Sequence, residues 1–330
     1  MRRVDAADLR IPDGPYECYV MDGGDDWLNF RSVGIGGSDV SSIMGINRYR
    51  SPVEVWLEKT GRAMPDDLSG NEAVEWGNRL EAMVRLKFAE GHPELEVATV
   101  DGTLVAKGRD WAHANLDGRV VDESGEWGVL EIKTAGAARS SDWEDGVPDY
   151  YLAQVTHYLS VTGWKYAWVA ALIGGQHYVE YRIDRDEEDV EAVDATVDTF
   201  WHEFVEGDVM PAVIGTESES KALFGTFSGR DGVAPVENIA HFDRLVEEYR
   251  SAKAMEKAAG EQARRAANEL RAAVGDHKCA ESDVWRVTWV KSTQTKFDAK
   301  RFRAEHPDLA PEYDTTSPVD RGLRVSEVKR

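Results

Sequence analysis

The chain is poor in the residues that build covalent or inorganic scaffolds. Its 330 residues include two cysteines, Cys18 and Cys279, too few and too far apart for a disulfide framework, a zinc ribbon or an iron–sulfur cluster. A reducing cytoplasm is the expected compartment. No apolar run approaches the roughly 20 residues needed to span a bilayer, and the longest, over 166–173, suits a buried strand. The first ten residues lack the apolar stretch of a secretory signal, so a soluble protein with no membrane partner is expected. Positive charge is scarce as well. The 39 Lys and Arg stand against 61 Asp and Glu, a formal net charge of -22, which argues against a broad basic footprint for nucleic acid. Much of that acid lies in solvated runs such as 184–189 and 217–219, while Arg48 with Arg50 and Arg264 with Arg265 leave local basic clusters. There is no internal repeat.

With 42% hydrophobic residues, the chain can bury one substantial core and carry a smaller appendage. Apolar spacing predicts helices over 38–44, 52–60, 71–90, 150–162 and 187–206, and strands over 95–100, 102–107, 116–121, 127–133, 166–173 and 177–183. That order implies an α/β fold with a central mixed sheet flanked by helices. A long helix over 241–274 and a small α+β tail follow, the tail with a strand over 285–290, a helix over 297–303 and an apolar alternation over 323–328. The expected domains are an irregular lead-in over 1–30 with turn signals at 22–26, a main domain over 31–210 and a linker over 211–236. The long helix then occupies 237–275, and 276–330 forms the C-terminal extension.

Within this frame several charged residues stand where apolar ones are expected. The period of a strand places Glu131 and Lys133 on one face of Val129-Leu130-Glu131-Ile132-Lys133-Thr134, and ionised groups on a half-buried strand are costly unless paired. Asp117 opens the neighbouring strand. Glu81 sits on the helical stripe of Val74, Gly77, Val84 and Phe88. Two strand carboxylates, the Ile132 carbonyl and water would suit an oxygen-ligated Mg²⁺, with Glu81 as a further or water-mediated ligand. Lys133 would then orient or help deprotonate an attacking water and offset phosphate charge. Taken singly, each has a plainer reading, as a surface ion pair, a turn aspartate or a helix-face glutamate. Gln154 and Tyr158 share a face of their helix and would either bond between helices or hold a ligand. The turn Gly34-Ile35-Gly36-Gly37-Ser38-Asp39 opens a helix and suits an anion, with Arg31 in reach, although an ordinary N-cap at Ser38 or Asp39 explains it equally well. It is not a Walker A loop, since no Lys-Ser/Thr follows the glycines.

Asp117, Glu131-Ile132-Lys133 and the preceding helical Glu81 resemble the PD-(D/E)XK nuclease pattern. Residues 31–62, with Gly34-Ile35-Gly36-Gly37-Ser38-Asp39, Met44-Gly45, Arg48-Tyr49-Arg50-Ser51-Pro52 and Leu57-Glu58-Lys59-Thr60-Gly61, together with Ala153-Gln154-Val155 and Tyr158, resemble the YqaJ-type viral recombination exonucleases, relatives of the phage lambda exonuclease. The likeness spans about 31–210. It implies a restriction-endonuclease-like core and a Mg²⁺-dependent 5′-to-3′ exonuclease (Mn²⁺ able to substitute) that releases 5′-phosphomononucleotides from double-stranded DNA ends. Such enzymes work beside a single-strand annealing protein, often as homo-oligomeric trimers, and would be phage- or prophage-encoded in a bacterial cytoplasm. Glu81, Asp117, Glu131, Lys133 and Gln154 fall at the active-site positions. Arg31 and Ser38 fall at those that grip the 5′-phosphate, and Asn115 stands where the lambda-type enzyme has a serine. Arg48, Arg50 and Tyr158 are candidate DNA contacts. The alternatives are an endonuclease of the same fold and a non-cutting module that binds DNA ends or a partner. A Cas4-like nuclease is disfavoured because its cysteine cluster is missing.

Overall fold

A computed structural model describes residues 1–21, 30–65, 70–227, 232–320 and 322–328. The turn signals at 22–26 lie outside the described residues. Two compact units divide the chain, Met1–Ser228 and Gly229–Arg330.

The first unit is mixed α/β, as its patterning implies, but it contains two five-stranded sheets rather than one. The first sheet comprises β1 (Arg2–Val4), β2 (Tyr16–Val20), β3 (Ile35–Gly36), β5 (Thr103–Ala106) and β6 (Ala112–Asn115), in the order β1-β2-β5-β6-β3. The stretch 1–30, expected to be irregular, thus supplies two strands. Tyr16 and Cys18, both buried, point from β2 into the core by the period of a strand. The second sheet joins β4 (Glu96–Ala98), β7 (Gly118–Val121), β8 (Trp127–Ala135), β9 (Tyr166–Ile173) and β10 (His177–Asp184) in the order β10-β9-β8-β7-β4. The strand expected over 116–121 is β7, which starts only at Gly118; the unexpected β6 precedes it in the other sheet, and the chain passes between sheets at Leu116 and Asp117. Asp117 therefore lies at a switch point between the sheets.

Strands β8 and β9 are parallel, so a crossover is required between them. Helix α4 (Asp149–Thr162) supplies it and ends where Gly163 takes φ 70°, a left-handed value that costs glycine little. Against one face of the second sheet lies α3 (Glu72–Gly91), whose Val84 and Phe88 pack on Val120, Leu130, Ile132 and Tyr166. Burying each of those two side chains is worth roughly 1.5–3 kcal/mol. Val129, Val169 and Ala171 belong to the other apolar cluster, together with Val155 and Leu159 of α4. The alternation along β8 consequently turns Leu130 and Ile132 toward α3, and Glu131 and Lys133 toward α4. Two short helices, α1 (Gly37–Ile43) and α2 (Pro52–Lys59), complete the layer beside α4. The start of α2 is fixed by a reciprocal cap in which Glu54 N donates to Ser51 Oγ at 3.3 Å and Ser51 N donates to Glu54 Oε2 at 2.8 Å.

Helix α5 (Glu187–Thr199) runs into a π-helical segment, Phe200–Glu206. The stretch 211–236, expected as a linker, contains α6 (Glu217–Thr226), whose buried Glu219 accepts hydrogen bonds from Ile214 N and Gly215 N. In the second unit α7 (Phe242–Val274) forms as its periodicity predicts, with Val274 its one buried residue among those described. A hairpin of β11 (Cys279–Glu281) and β12 (Arg286–Thr288) and the short α8 (Ala299–Glu305) follow. The apolar alternation over 323–328 forms no strand.

Candidate active site

Three of the charged residues singled out by pattern meet at the end of the β7–β8 ladder. The last paired residues are Gly118 and Leu130, so the N–H of Ile132 extends beyond the strand it would otherwise pair with. Asp117 takes its place, with Oδ2 accepting that N–H at 2.8 Å. Glu131, 1% exposed, uses Oε1 twice. It accepts from Gln154 Nε2 at 2.6 Å and forms an ion pair with Lys133 Nζ. Its other oxygen, Oε2, is buried with no hydrogen-bond partner, which is costly for a carboxylate unless something else satisfies it.

Burial pushes Glu131 up to about 8, with the Asp117 charge adding and Lys133 opposing. Asp117 is raised as well, by burial first and also by Glu81, against the pull of Lys133 and the Ile132 N–H. Burial works against the Lys133 ammonium, but Glu131 and Asp117 outweigh it and raise its pKa. Lys133 is thus protonated at neutral pH and suited to orient a nucleophile and meet a phosphate rather than to take a proton. Its ammonium also lies 4.8 Å from the centroid of the Tyr151 ring, a contact that sequence spacing did not single out.

Among the described residues no three His, Cys, Asp or Glu side chains come together closely enough to cage a metal. Asp117 and Glu131 still fit an oxygen-ligated divalent ion, because Mg²⁺ takes one or two carboxylates and keeps several waters. The orphaned Glu131 Oε2 and the upward shift of both carboxyls are what a cation would relieve. Glu81 is not drawn into direct contact with them. It pairs with Arg85 one turn along α3 and reaches Asp117 and Glu131 as a nearby charge.

A second charged cluster lies under the glycine-rich turn. Asp39, fully buried, forms ion pairs with Arg50 Nη1 at 2.7 Å and Lys59 Nζ at 2.8 Å. Arg50 Nη2 also reaches Glu58 Oε2 at 2.5 Å, while Lys59 Nζ donates to the Arg31 carbonyl at 2.8 Å. Burial alone would raise the Asp39 pKa, but Lys59 and Arg50 hold it well below the usual carboxylate range. The turn itself abuts the active site. A Cβ on Gly37 would lie 2.5 Å from the Tyr158 ring and 2.9 Å from Gln154 Cγ, so only glycine allows α1 to approach α4 this closely. Tyr158 OH in turn accepts from Gln154 Nε2 at 3.0 Å.

Residues 26–165 match the YqaJ-like viral recombinase domain. The chain is also 31% identical over 288 residues to an uncharacterized YqaJ protein of Bacillus subtilis strain 168, covering 86% of this chain and 89% of that one. It belongs to the YqaJ family of viral recombinases. Among solved structures it is similar to an alkaline exonuclease, LHK-Exo, from Laribacter hongkongensis, at 19% identity, 56% of this chain, 94% of that one and a TM-score of 0.45. Another is a phage-related exonuclease from Haemophilus somnus 129PT, at 12% identity, 55% and 98% coverage and a TM-score of 0.35.

For a YqaJ-family chain the placement of the remaining candidate residues is uneven. Arg31 is half-buried beside the Asp39 cluster and Ser38 is exposed at the start of α1. Exposed Asn115, two residues before Asp117, accepts from the Thr103 hydroxyl. Arg48 is accessible, whereas two other candidate DNA contacts are engaged within the protein. Arg50 is taken up by Asp39 and Glu58, and Tyr158 is buried between Gln154 and Gly37. Both were singled out as residue types in the right segment; the whole fold buries Tyr158, while Arg50 is half-buried with its guanidinium engaged in ion pairs. The Asp39–Lys59–Arg50–Glu58 network was missed at the sequence level. The signal was there in α2, where Glu58 and Lys59 follow the buried run Val55, Trp56 and Leu57 and so require partners.

Proposed function

We propose that this chain is a Mg²⁺-dependent exonuclease that degrades one strand of double-stranded DNA from its 5′ ends and releases 5′-phosphomononucleotides. The observation that carries the reading is Glu131: a buried carboxylate with one oxygen held by Gln154 and Lys133 and the other left without a partner beside Asp117. Membership of a viral recombinase family supports a role in recombination at DNA ends.

Asp117 and Glu131 Oε2 would hold the metal, with the Ile132 carbonyl as a further ligand and Glu81 acting through water. A bound Mg²⁺ supplies Lewis-acid charge to the phosphoryl oxygens and lowers the pKa of an attacking water. The chain's own residues do the positioning. Gln154 fixes the rotation of Glu131 by donating to Oε1, so that Oε2 stays directed away from α4's amide. Lys133, protonated, orients the nucleophile and offsets charge that develops on the phosphate. Arg31 and Ser38, with Asn115 in support, receive the 5′-phosphate at the start of α1. A single-strand annealing protein as partner, a homotrimeric assembly and a bacterial cytoplasm complete the proposal.

The test is digestion of linear duplex bearing 5′-phosphate or 5′-hydroxyl ends, with Mg²⁺, by wild type and Arg31→Ala. Wild type is expected to prefer the phosphorylated end and the variant to lose that preference. Cleavage of a covalently closed circle would instead assign an endonuclease. Linear duplex left intact by wild type, with Lys133→Ala behaving identically, would end the nuclease reading.

A further inference from the structure

Beyond the carboxylates a continuous series of rings and guanidinium groups runs from Lys133 to the surface. Tyr151, which faces the Lys133 ammonium, packs on Tyr150 with ring centroids 4.4 Å apart. Arg48 lies 5.7 Å from the centroid of Tyr150. Across the same patch Arg139 Nη2 donates to Tyr49 OH at 2.9 Å, and its guanidinium is 5.9 Å from the centroid of that ring. Tyr49 is 63% exposed, and the two arginine side chains are 43% and 42% exposed. One acid serves both cations: Asp142 Oδ2 lies 3.4 Å from Arg48 and 3.9 Å from Arg139, and hydrogen-bonds neither. It balances their charge without occupying their donors.

This patch is unusual for a chain of net charge -22. The exposed Tyr49 ring and the half-buried Tyr150 ring, interleaved with arginines, are the two components of a sequence-tolerant surface for single strands: bases stack on the rings and phosphates meet the cations. The interior of a duplex cannot use the rings, because its bases already stack on one another. We propose that Tyr49, Tyr150, Arg48 and Arg139 form a binding surface for single-stranded DNA, taking the unpaired strand next to the point of cleavage. The inference rests on the nuclease reading for why such a strand occurs there, since a terminal nucleotide has to leave its complement to reach buried carboxylates. The surface itself is read independently, from the rings and arginines.

Fluorescence anisotropy of a labelled oligothymidylate, in EDTA so that nothing is cut, tests it on the full-length chain. Tyr49→Ala and Arg139→Ala are each expected to weaken binding on the order of tenfold, the usual scale for losing one stacked base or its cation. Tyr49→Phe should bind nearly as wild type. Blunt duplex of the same length should lose less affinity than the single strand in Tyr49→Ala. Oligothymidylate affinity unchanged in both alanine variants, with unchanged melting temperatures, overturns the surface, as does an equal loss for duplex and single strand. The two readings fail separately. Wild type that digests linear duplex while Tyr49→Ala keeps full oligothymidylate affinity overturns the surface alone. Loss of oligothymidylate affinity in the variants of a chain that cuts nothing supports the surface and removes the nuclease.

Discussion

Asp39 and Glu131 are both buried carboxylates beside a lysine, yet the protein treats them oppositely. Asp39 has a cation for each oxygen, Arg50 on Oδ1 and Lys59 on Oδ2, and its pKa is held far down. Glu131 has Gln154 and Lys133 on a single oxygen, nothing on the other, and a second acid, Asp117, close by. Its pKa is pushed up to about 8. The first arrangement is closed and holds structure together. The second is incomplete, with one buried carboxylate oxygen left without a partner, which is the feature on which the proposed cation site rests.

The most direct way to break the contrast is to remove each charge in turn. Glu131→Gln is expected to lower Mg²⁺-dependent release of nucleotides from linear duplex by at least about 10²–10³-fold while leaving the melting temperature within a few degrees of wild type. Asp39→Ala is expected to do the reverse in origin. It leaves Lys59 and Arg50 buried without their acid and costs about 3–5 kcal/mol of stability, measured by urea unfolding, with any loss of activity following from instability.

The pH dependence separates the two carboxylates by sign. Glu131 has a folded pKa above its ordinary 4.5, so its contribution to stability is complete below about 4.5 and is lost as pH rises toward about 8. Metal-free wild type should therefore fall in melting temperature over that window, by up to a few kcal/mol of stability, with Glu131→Gln flattening the fall and Mg²⁺ restoring the loss. Asp39 has a depressed pKa, so its contribution is present above the ordinary carboxylate value and disappears as pH falls through the folded one. A wild-type curve without EDTA-dependent curvature between pH 5 and 8 would remove the distinction.

Smaller changes sharpen the link between the two clusters. Gly37→Ala places a Cβ against Tyr158 and Gln154 and is expected to cost about 1–3 kcal/mol by overpacking. Activity should fall more than stability accounts for, because Gln154 is what rotates Glu131. Tyr158→Phe removes the hydroxyl that accepts from Gln154 and should cost about 1 kcal/mol. A kcat reduced with KM unchanged would place its effect on Glu131 geometry.

Much of the site was readable from local pattern. The two-residue period of β8 put Glu131 and Lys133 on one side, and the resemblance carried by Asp117, Glu131 and Lys133 agreed with it. Gln154 and Tyr158, four residues apart on α4, do share a face and do bond each other. The division into two sheets was not readable. It depends on Tyr16–Val20 pairing with Thr103–Ala106, strands more than eighty residues apart whose own alternation is compatible with either sheet. The burial of Tyr158 was hidden for the same reason, since Gly37, remote in sequence, closes over it.

The order of residues by itself determined that a carboxylate and an ammonium would project from one face of a strand, that Gly163 would end the crossover helix, and that 242–274 would be helical. Those are consequences of backbone periods and φ preferences, which act over a few residues. Tertiary structure alone decided which acid would be satisfied. Whether a buried oxygen finds a partner depends on what the rest of the fold brings to it, and the fold brought two cations to Asp39 and left Glu131 Oε2 with none.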